Sequence, residues 1–303
     1  MQKLTLRVIL AFLAVYLFWG GTYVAIKLGL ESFPPMLLAG TRHFTAGLFM
    51  LSVALFRKDA FPKAKEMMFS ALIGLMMLLI GNGLVTLTEQ TVPSSIVSLL
   101  IGAVPLWIII LNWSFGDKKR PTIYHLLGVT LGLIGIAFLV FQSQKDGITH
   151  FDPLGIFLIL MAAISWAAGS LVSRYASIPK SPYMNLSFQM LSGGFALFIA
   201  SFIRQEWVGF DVMKVTSNAW ISLCYLIFFG SILGYSAYIW LLRNVNPTWV
   251  STYAFVNPVV AVFLGWLLAK ESLSINALIA AAIIIISIVF MTFPFKKKAY
   301  SLK

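Results

Sequence analysis

Long apolar stretches follow one another along almost the whole chain, separated by short polar segments. A helix that crosses ~30 Å of hydrocarbon needs ~20 predominantly apolar residues. Ten stretches reach that length and predict membrane-spanning helices over 8–28, 35–56, 67–87, 92–113, 121–141, 153–173, 183–203, 217–242, 247–269 and 273–293. The predicted fold class is therefore an all-α membrane protein.

Composition agrees with this class and excludes an ordinary soluble domain. Hydrophobic residues make up 60% of the chain and charged residues only 11%, and the mean hydropathy is +0.92. The first stretch is too long for a signal peptide and lacks a small-residue cleavage site, so we interpret it as a retained first helix.

The basic residues lie mostly on one side of the predicted membrane. With the N-terminus in the cytoplasm, sixteen Lys and Arg residues fall in cytoplasmic segments and four on the opposite side. Because Lys and Arg in short loops set the orientation of spanning helices, we expect a multi-pass cell-membrane protein with both termini cytoplasmic. The net charge of +12 then indicates contact with anionic lipid headgroups and requires no nucleic-acid partner.

The two halves of the chain resemble each other. An offset of 147 residues aligns Trp19 with Trp166, Lys27 with Arg174 and Arg42 with Gln189. Near the end of each half the offset grows to about 154 and aligns 92–94 with 246–248. We interpret the chain as two five-helix repeats, 1–141 and 153–295, with a linker at 142–152 and a basic cytoplasmic tail at 296–303.

An odd number of spans in each half has a mechanical consequence. The second repeat must cross the membrane in the opposite direction to the first. Inverted repeats around a central site near the bilayer midplane are a common plan of secondary transporters. We therefore expect two inverted five-helix repeats around a central cavity.

Interior prolines mark corresponding spans of the two halves. Pro105 lies near the middle of the fourth predicted span and Pro258 near the middle of the ninth. Each removes a backbone hydrogen bond, and paired helix interruptions indicate a transport site. The alternative is that both prolines only kink helices, since proline is more frequent in membrane helices than in soluble ones.

Several ionisable residues lie at membrane depth. Arg42 is inside the second span and needs a partner or water, and Glu89 is the carboxylate at a suitable depth. If transport is coupled to protons, Glu89 and His43 are the candidate proton-coupling residues. The alternative is that Lys27 and Glu89 reach the headgroups and Arg42 is a structural anchor.

Aromatic and polar residues inside the spans suggest a ligand site. Trp19 and Trp166 lie too deep for an interfacial aromatic belt, which leaves a cavity wall or tight helix packing. The candidate substrate-binding residues are Trp19, Tyr23, Arg42, Asn82, Ser98, Trp166, Tyr253 and Asn257. The spacing of His, Cys, Asp and Glu predicts no metal site, and no cofactor motif is present.

These features resemble a known family. The segments 18–22, 35–42, 81–107 and 128–135, together with Asn257-Pro258 and Lys270-Glu271, are similar to those of EamA-type transporters of the drug/metabolite transporter superfamily. The similarity covers essentially the whole chain as two units. It implies ten helices in an inverted arrangement and efflux of amino acids or other small metabolites.

We therefore expect a secondary transporter that moves a small organic solute across the cytoplasmic membrane by alternating access. A membrane-embedded enzyme acting on a lipid-linked or membrane-dissolved substrate is the alternative, but no catalytic set near a bilayer surface is apparent. A sensor or scaffold would need an output domain, and the loops are about a dozen residues at most. The sequence leaves open whether the protein forms a homodimer.

Overall fold

The computed structural model describes residues 5–92, 97, 100–118, 120–143, 153–260 and 275–292. Within them, every regular element is helical. The α-helices are α1 Leu6–Gly20, α2 Thr22–Leu30, α3 Pro35–Phe56, α4 Ala64–Gly74, α5 Leu84–Thr88, α6 Val104–Phe115, α7 Ile123–Ser143, α8 Pro153–Tyr175, α9 Pro182–Ile203, α10 Ser217–Tyr225, α11 Ser236–Asn244, α12 Pro247–Val250 and α13 Ile275–Thr292. A short 3₁₀ turn occupies Val212–Lys214.

Six helical segments are long and apolar enough to cross a membrane: Leu6–Leu30, Pro35–Phe56, Ala64–Thr88, Pro153–Tyr175, Pro182–Ile203 and Ser217–Asn244. Shorter apolar helices cover Val104–Phe115, Ile123–Phe138 and Leu278–Thr292. Each overlaps a predicted span, which confirms an all-helical membrane-protein fold. Several features predicted from the sequence lie outside the described residues: Ser98, most of the 142–152 linker, the pair Lys270-Glu271 and the 296–303 tail.

The third and eighth spans are not continuous α-helices. A π-helix over Leu75–Gly83 joins α4 to α5, and a second over Leu226–Tyr235 joins α10 to α11. A π segment widens the helix by one residue per turn and often occurs at functional sites. The sequence analysis did not predict these two segments, which lie in corresponding places of the two halves.

The helix interruptions of the fourth and ninth spans lie differently relative to the two prolines. Residues 102–103 form a turn, and Pro105 follows in the first turn of α6, where a missing N–H has no cost. In the second half the turn is at 251–252, while Pro258 lies inside the helical stretch 253–260. The side chains of Ser251 and Thr252 bond to the carbonyls of Thr248 and Trp249, which favours a turn there.

Helices α3 and α9 form an extensive antiparallel pair. A Cβ atom placed on Gly47 would lie 2.8 Å from the backbone nitrogen of Leu191, and one on Gly194 would lie 2.5 Å from that of Phe44. Gly47 and Gly194 are 147 positions apart in the chain and so occupy equivalent places in the two halves. Small residues at these crossings let the two backbones approach closely.

Each helix of this pair ends in the same short motif. Arg57-Lys58-Asp59 follows α3, and Arg204-Gln205-Glu206 follows α9. The central residues have φ values of 56° and 57°, and the acidic residues donate their N–H groups to Ala54 and Ser201. This is the left-handed C-terminal cap of a helix.

The acidic residue of each motif reaches the start of the other helix. Glu206 Oε2 accepts hydrogen bonds from the backbone N–H groups of Met36 (3.0 Å) and Leu37 (3.1 Å). At the opposite end, Asp59 accepts a hydrogen bond from Ser181, the N-cap residue of α9. Carboxylates are favourable at helix N-termini, so the pair is fastened at both ends. We call these two contacts the helix clasps.

Candidate functional site

A cavity lies between the two halves of the protein. Its volume is about 80 Å³, and one water molecule needs roughly 10–15 Å³, so it holds several. Residues from both halves line it, including Trp19, Tyr23, Arg42, His43, Asn82, Trp166, Tyr253 and Asn257. Every candidate substrate-binding residue that the structure describes is therefore on this wall, and only Ser98 lies outside the described residues.

Aromatic rings form one side of the cavity. Trp19 and Trp166 meet edge to face with ring centroids 5.5 Å apart, and both contact Tyr238 at 5.0 and 5.6 Å. Tyr253 lies 5.0 Å from Trp19. Such edge-on arrangements at 4.5–7 Å are favourable. Cavity wall and tight packing, which the sequence analysis treated as alternatives for the two tryptophans, occur together.

The π segments make room for the tryptophans. A Cβ atom on Gly81 would lie 2.9 Å from the Trp166 ring, and one on Gly234 would lie 2.6 Å from Trp19 Nε1. Trp19 Nε1 also donates a 2.9 Å hydrogen bond to the carbonyl of Gly230 in the second π segment. Each tryptophan therefore packs against the irregular helix of the other half of the chain.

Polar side chains at the cavity also form a connected row. Arg42 Nε donates to Ser231 Oγ (2.8 Å), which lies 3.4 Å from His43 Nδ1. His43 Nε2 is 3.0 Å from Asn82 Oδ1. This row links the second, third and eighth spans and holds the Arg42 guanidinium against the cavity.

Pairing of Arg42 with Glu89, one of the two alternatives that the sequence left open, is not observed among the described residues. No ion pair within 4.0 Å joins them among the described residues, and Ser231 supplies the Arg42 partner instead. Ser231 was not recognisable as this partner from the sequence, because it lies 189 residues from Arg42 along the chain. The adjacent Gly230 and Ser231, small residues in the middle of an apolar span, were the available signal.

Two buried polar groups close to this site have no hydrogen-bond partner among the described residues. They are Asn257 Oδ1, on the cavity wall, and both carboxylate oxygens of Glu89, one residue beyond the third span. A buried acceptor without a donor costs about 1–3 kcal/mol. At such unpaired acceptors beside a cavity, binding of a hydrogen-bond donor from a ligand, of a water molecule or of a proton is therefore favourable.

The two ends of the bundle differ. At the end where α8 and α11 finish, Arg174 donates to the carbonyls of Leu242 and Val245, and Arg243 donates to that of Ser173 (3.0 Å). These bonds join the C-termini of the two helices. We call this the Arg174 end. At the opposite end, which we call the Lys27 end, exposed Lys27 makes no described hydrogen bond or ion pair.

The EamA-like transporter family model matches residues 6–141 and again residues 153–293. The chain belongs to this family. It does so as two successive units, which together cover nearly all of the sequence. The family and its named relatives are transporters rather than enzymes, so the chain is a membrane transporter.

Individual relatives agree with this assignment. The chain is 38% identical to the "Uncharacterized inner membrane transporter YedA" of Escherichia coli K12, covering 93% of this chain and 89% of that protein. It is 29% identical to the "Probable amino-acid metabolite efflux pump" of Salmonella typhimurium, covering 94% of each.

A solved crystal structure of a protein that is 17% identical superposes with a TM-score of 0.77, covering 94% of this chain and 96% of that one. At that identity, the likeness supports the fold alone.

Proposed function

We propose that this protein is a secondary transporter that moves a small zwitterionic solute, of the amino-acid class, out of the cell by alternating access. The proposed architecture is ten helices in two inverted five-helix repeats, 1–141 and 153–295, with both termini in the cytoplasm. The central cavity is the proposed substrate site.

One observation carries the substrate class. The buried Arg42 guanidinium and the orphan Asn257 Oδ1 face the same small cavity. A guanidinium presents a planar set of donors that suits a carboxylate, and an amide oxygen accepts a hydrogen bond from an ammonium group. The two groups together match the two charged ends of an α-amino acid.

The aromatic wall supports the same class. Trp19, Trp166 and Tyr253 offer apolar area for a side chain, and aromatic faces also attract cations. Ligand sites typically combine apolar walls with a few placed polar groups. The name of the Salmonella relative points to amino-acid metabolites and to efflux, which is the direction that we propose here.

Counterflow in proteoliposomes tests the proposal. Vesicles loaded with one α-amino acid at a time receive the radiolabelled form outside, and each amino acid is compared with its decarboxylated amine. We expect at least one amino acid to exchange and its amine to fail. The proposal is wrong if no amino acid exchanges, or if the amine exchanges as well as its parent.

Variants locate the carboxylate site. Hydrogen bonds to charged groups contribute about 1.5–3 kcal/mol, so Arg42→Gln should weaken apparent affinity by roughly 10- to 100-fold. Arg204→Gln, at a surface position outside the cavity, is the matched control and should leave exchange unchanged. Equal exchange by both variants would remove Arg42 from the site.

A further inference from the structure

Equivalent positions of the two repeats carry different charged residues at the two ends of the bundle. Lys27 precedes Arg174 by 147 residues, and Glu89 precedes Arg243 by 154 residues, the two offsets that relate the halves. Arg174 and Arg243 join the C-termini of α8 and α11 through backbone carbonyls. Lys27 and Glu89 hold the same places at the ends of α2 and α5, yet they carry opposite charges.

In the present conformation these two residues are not bonded. Lys27 is exposed and has no acid within 4.0 Å among the described residues. Both Glu89 carboxylate oxygens are buried and have no hydrogen-bond partner in the part of the chain that the structure describes. At the Lys27 end, no hydrogen bond or ion pair of Lys27 or Glu89 joins α2 to α5 among the described residues, whereas Arg174 and Arg243 join α8 to α11 at the other end.

An unpartnered buried carboxyl group is stable only when it is protonated. Burial raises the pKa of Glu89 to about 8, and the positive charges of Lys27 and Arg42 oppose that rise. The third ionisable group beside it is Tyr23. Glu89 is thus neutral in this conformation over most of the physiological pH range.

Lys27 is better placed than Arg42 to become the partner of an ionised Glu89. Arg42 is 5% exposed and is held by Ser231, and a Cβ atom on Gly230 would lie 2.7 Å from its Nη2 atom. Lys27 has a long, exposed side chain, and among the described residues it has no hydrogen bond or ion pair that would break when it moves. Ion pairing of Lys27 with Glu89 would join α2 to α5.

We propose that Glu89 is a proton-binding site, and that its deprotonated carboxylate pairs with Lys27 and closes the Lys27 end of the cavity. This deepens the proposed function, because it assumes that the two ends close in turn. Glu89 binds its proton more tightly in the present conformation than in the conformation with the Lys27 end closed, because the paired Lys27 lowers the Glu89 pKa there. By linkage, a falling pH favours the open Lys27 end and a rising pH favours closure.

Thiol labelling tests this without any substrate. Ala162, on the cavity wall, becomes the single cysteine in a Cys224→Ser background, and a membrane-impermeant maleimide is added to the outside of intact cells. The labelling rate of this protein is measured at pH 6 and at pH 9. At each pH it is divided by the labelling rate of the same single-cysteine protein that also carries Glu89→Gln. This ratio cancels the pH dependence of the thiol reaction itself.

We expect the ratio to fall about tenfold from pH 6 to pH 9, because a group with a pKa of about 8 goes from roughly 1% to roughly 90% ionised. Lys27→Gln is the matched control. It leaves Glu89 ionisable but removes the ion pair, so its rate should match that of Glu89→Gln at both pH values.

Two results would overturn the proposal: a ratio that does not change with pH, or a fall that persists in Lys27→Gln. Each variant is first shown to be monodisperse by size exclusion. Because labelling needs no solute, this experiment can fail while amino-acid counterflow succeeds, and the reverse also holds.

Discussion

The helix clasps give a stability prediction that can be worked out from contacts. Helix α3 begins with Pro34 as its N-cap, and Pro34 has no side-chain hydrogen-bond acceptor. Glu206, 170 residues away, supplies the acceptor for the N–H groups of Met36 and Leu37. Removing this carboxylate should therefore leave two helix N–H groups without their partner.

The magnitude follows from the two hydrogen bonds. Each bond to a charged acceptor contributes about 1.5–3 kcal/mol, and the Glu206 side chain is only 7% exposed, so solvent screens them little. Because both bonds share one oxygen, we expect Glu206→Ala to cost about 2–4 kcal/mol. Glu206→Gln keeps a neutral acceptor and should cost about half as much.

The assay is the free energy of unfolding in mixed micelles with increasing dodecyl sulfate. Arg204→Gln serves as the control, because it breaks the 3.1 Å pair with Glu206 while the Arg204 side chain is 45% exposed. Such pairs contribute less than about 1 kcal/mol. If Glu206→Ala is no more destabilising than Arg204→Gln, the clasp does not fasten α3.

Three further predictions concern the α3–α9 helix pair, the aromatic side of the cavity and the Arg174 end. Gly194→Ala should destabilise by about 1–3 kcal/mol in the same unfolding assay, because its Cβ would lie 2.5 Å from a backbone nitrogen of α3; unchanged stability would contradict the close crossing. Trp19→Phe replaces the indole with a smaller aromatic ring that cannot donate to Gly230, so counterflow should fall while folded yield stays near wild type; a parallel fall of both would indicate a structural role only. Arg174→Gln removes the two hydrogen bonds to the carbonyls of Leu242 in α11 and of Val245 after it. The maleimide should therefore label a cysteine at position 162 faster in inside-out vesicles when Arg174→Gln is also present. An unchanged labelling rate would show that these bonds do not hold the Arg174 end closed.

Part of the candidate site was predictable from the sequence. Arg42 and Asn257 are polar and Trp19 lies too deep for an interfacial aromatic belt, so none of the three suits a lipid-facing position. This property alone made them candidates. Their partners were not predictable in the same way, because Ser231 and Gly230 are ordinary small residues. Only their contacts across the bundle give them a role.

The motif behind the helix clasps was present in the sequence at an offset of 147 but was not recognised there. An Arg, one residue and an acid is too common a pattern to stand out. Its meaning depends on which helix start lies beside it, and that is a tertiary contact.

The sequence by itself determined the all-helical membrane class, because the length of an apolar run and the thickness of the hydrocarbon layer can be compared without knowing the fold. It also predicted the bounds of the second span, 35–56, which agree with those of α3, Pro35–Phe56. Only the tertiary structure decided where the third and eighth spans become π-helices and that the turn falls at 251–252 rather than at Pro258. It also decided that the Glu89 carboxylate is buried with no hydrogen-bond partner among the described residues. These features depend on which atoms from distant parts of the chain compete for the same space and the same hydrogen bonds.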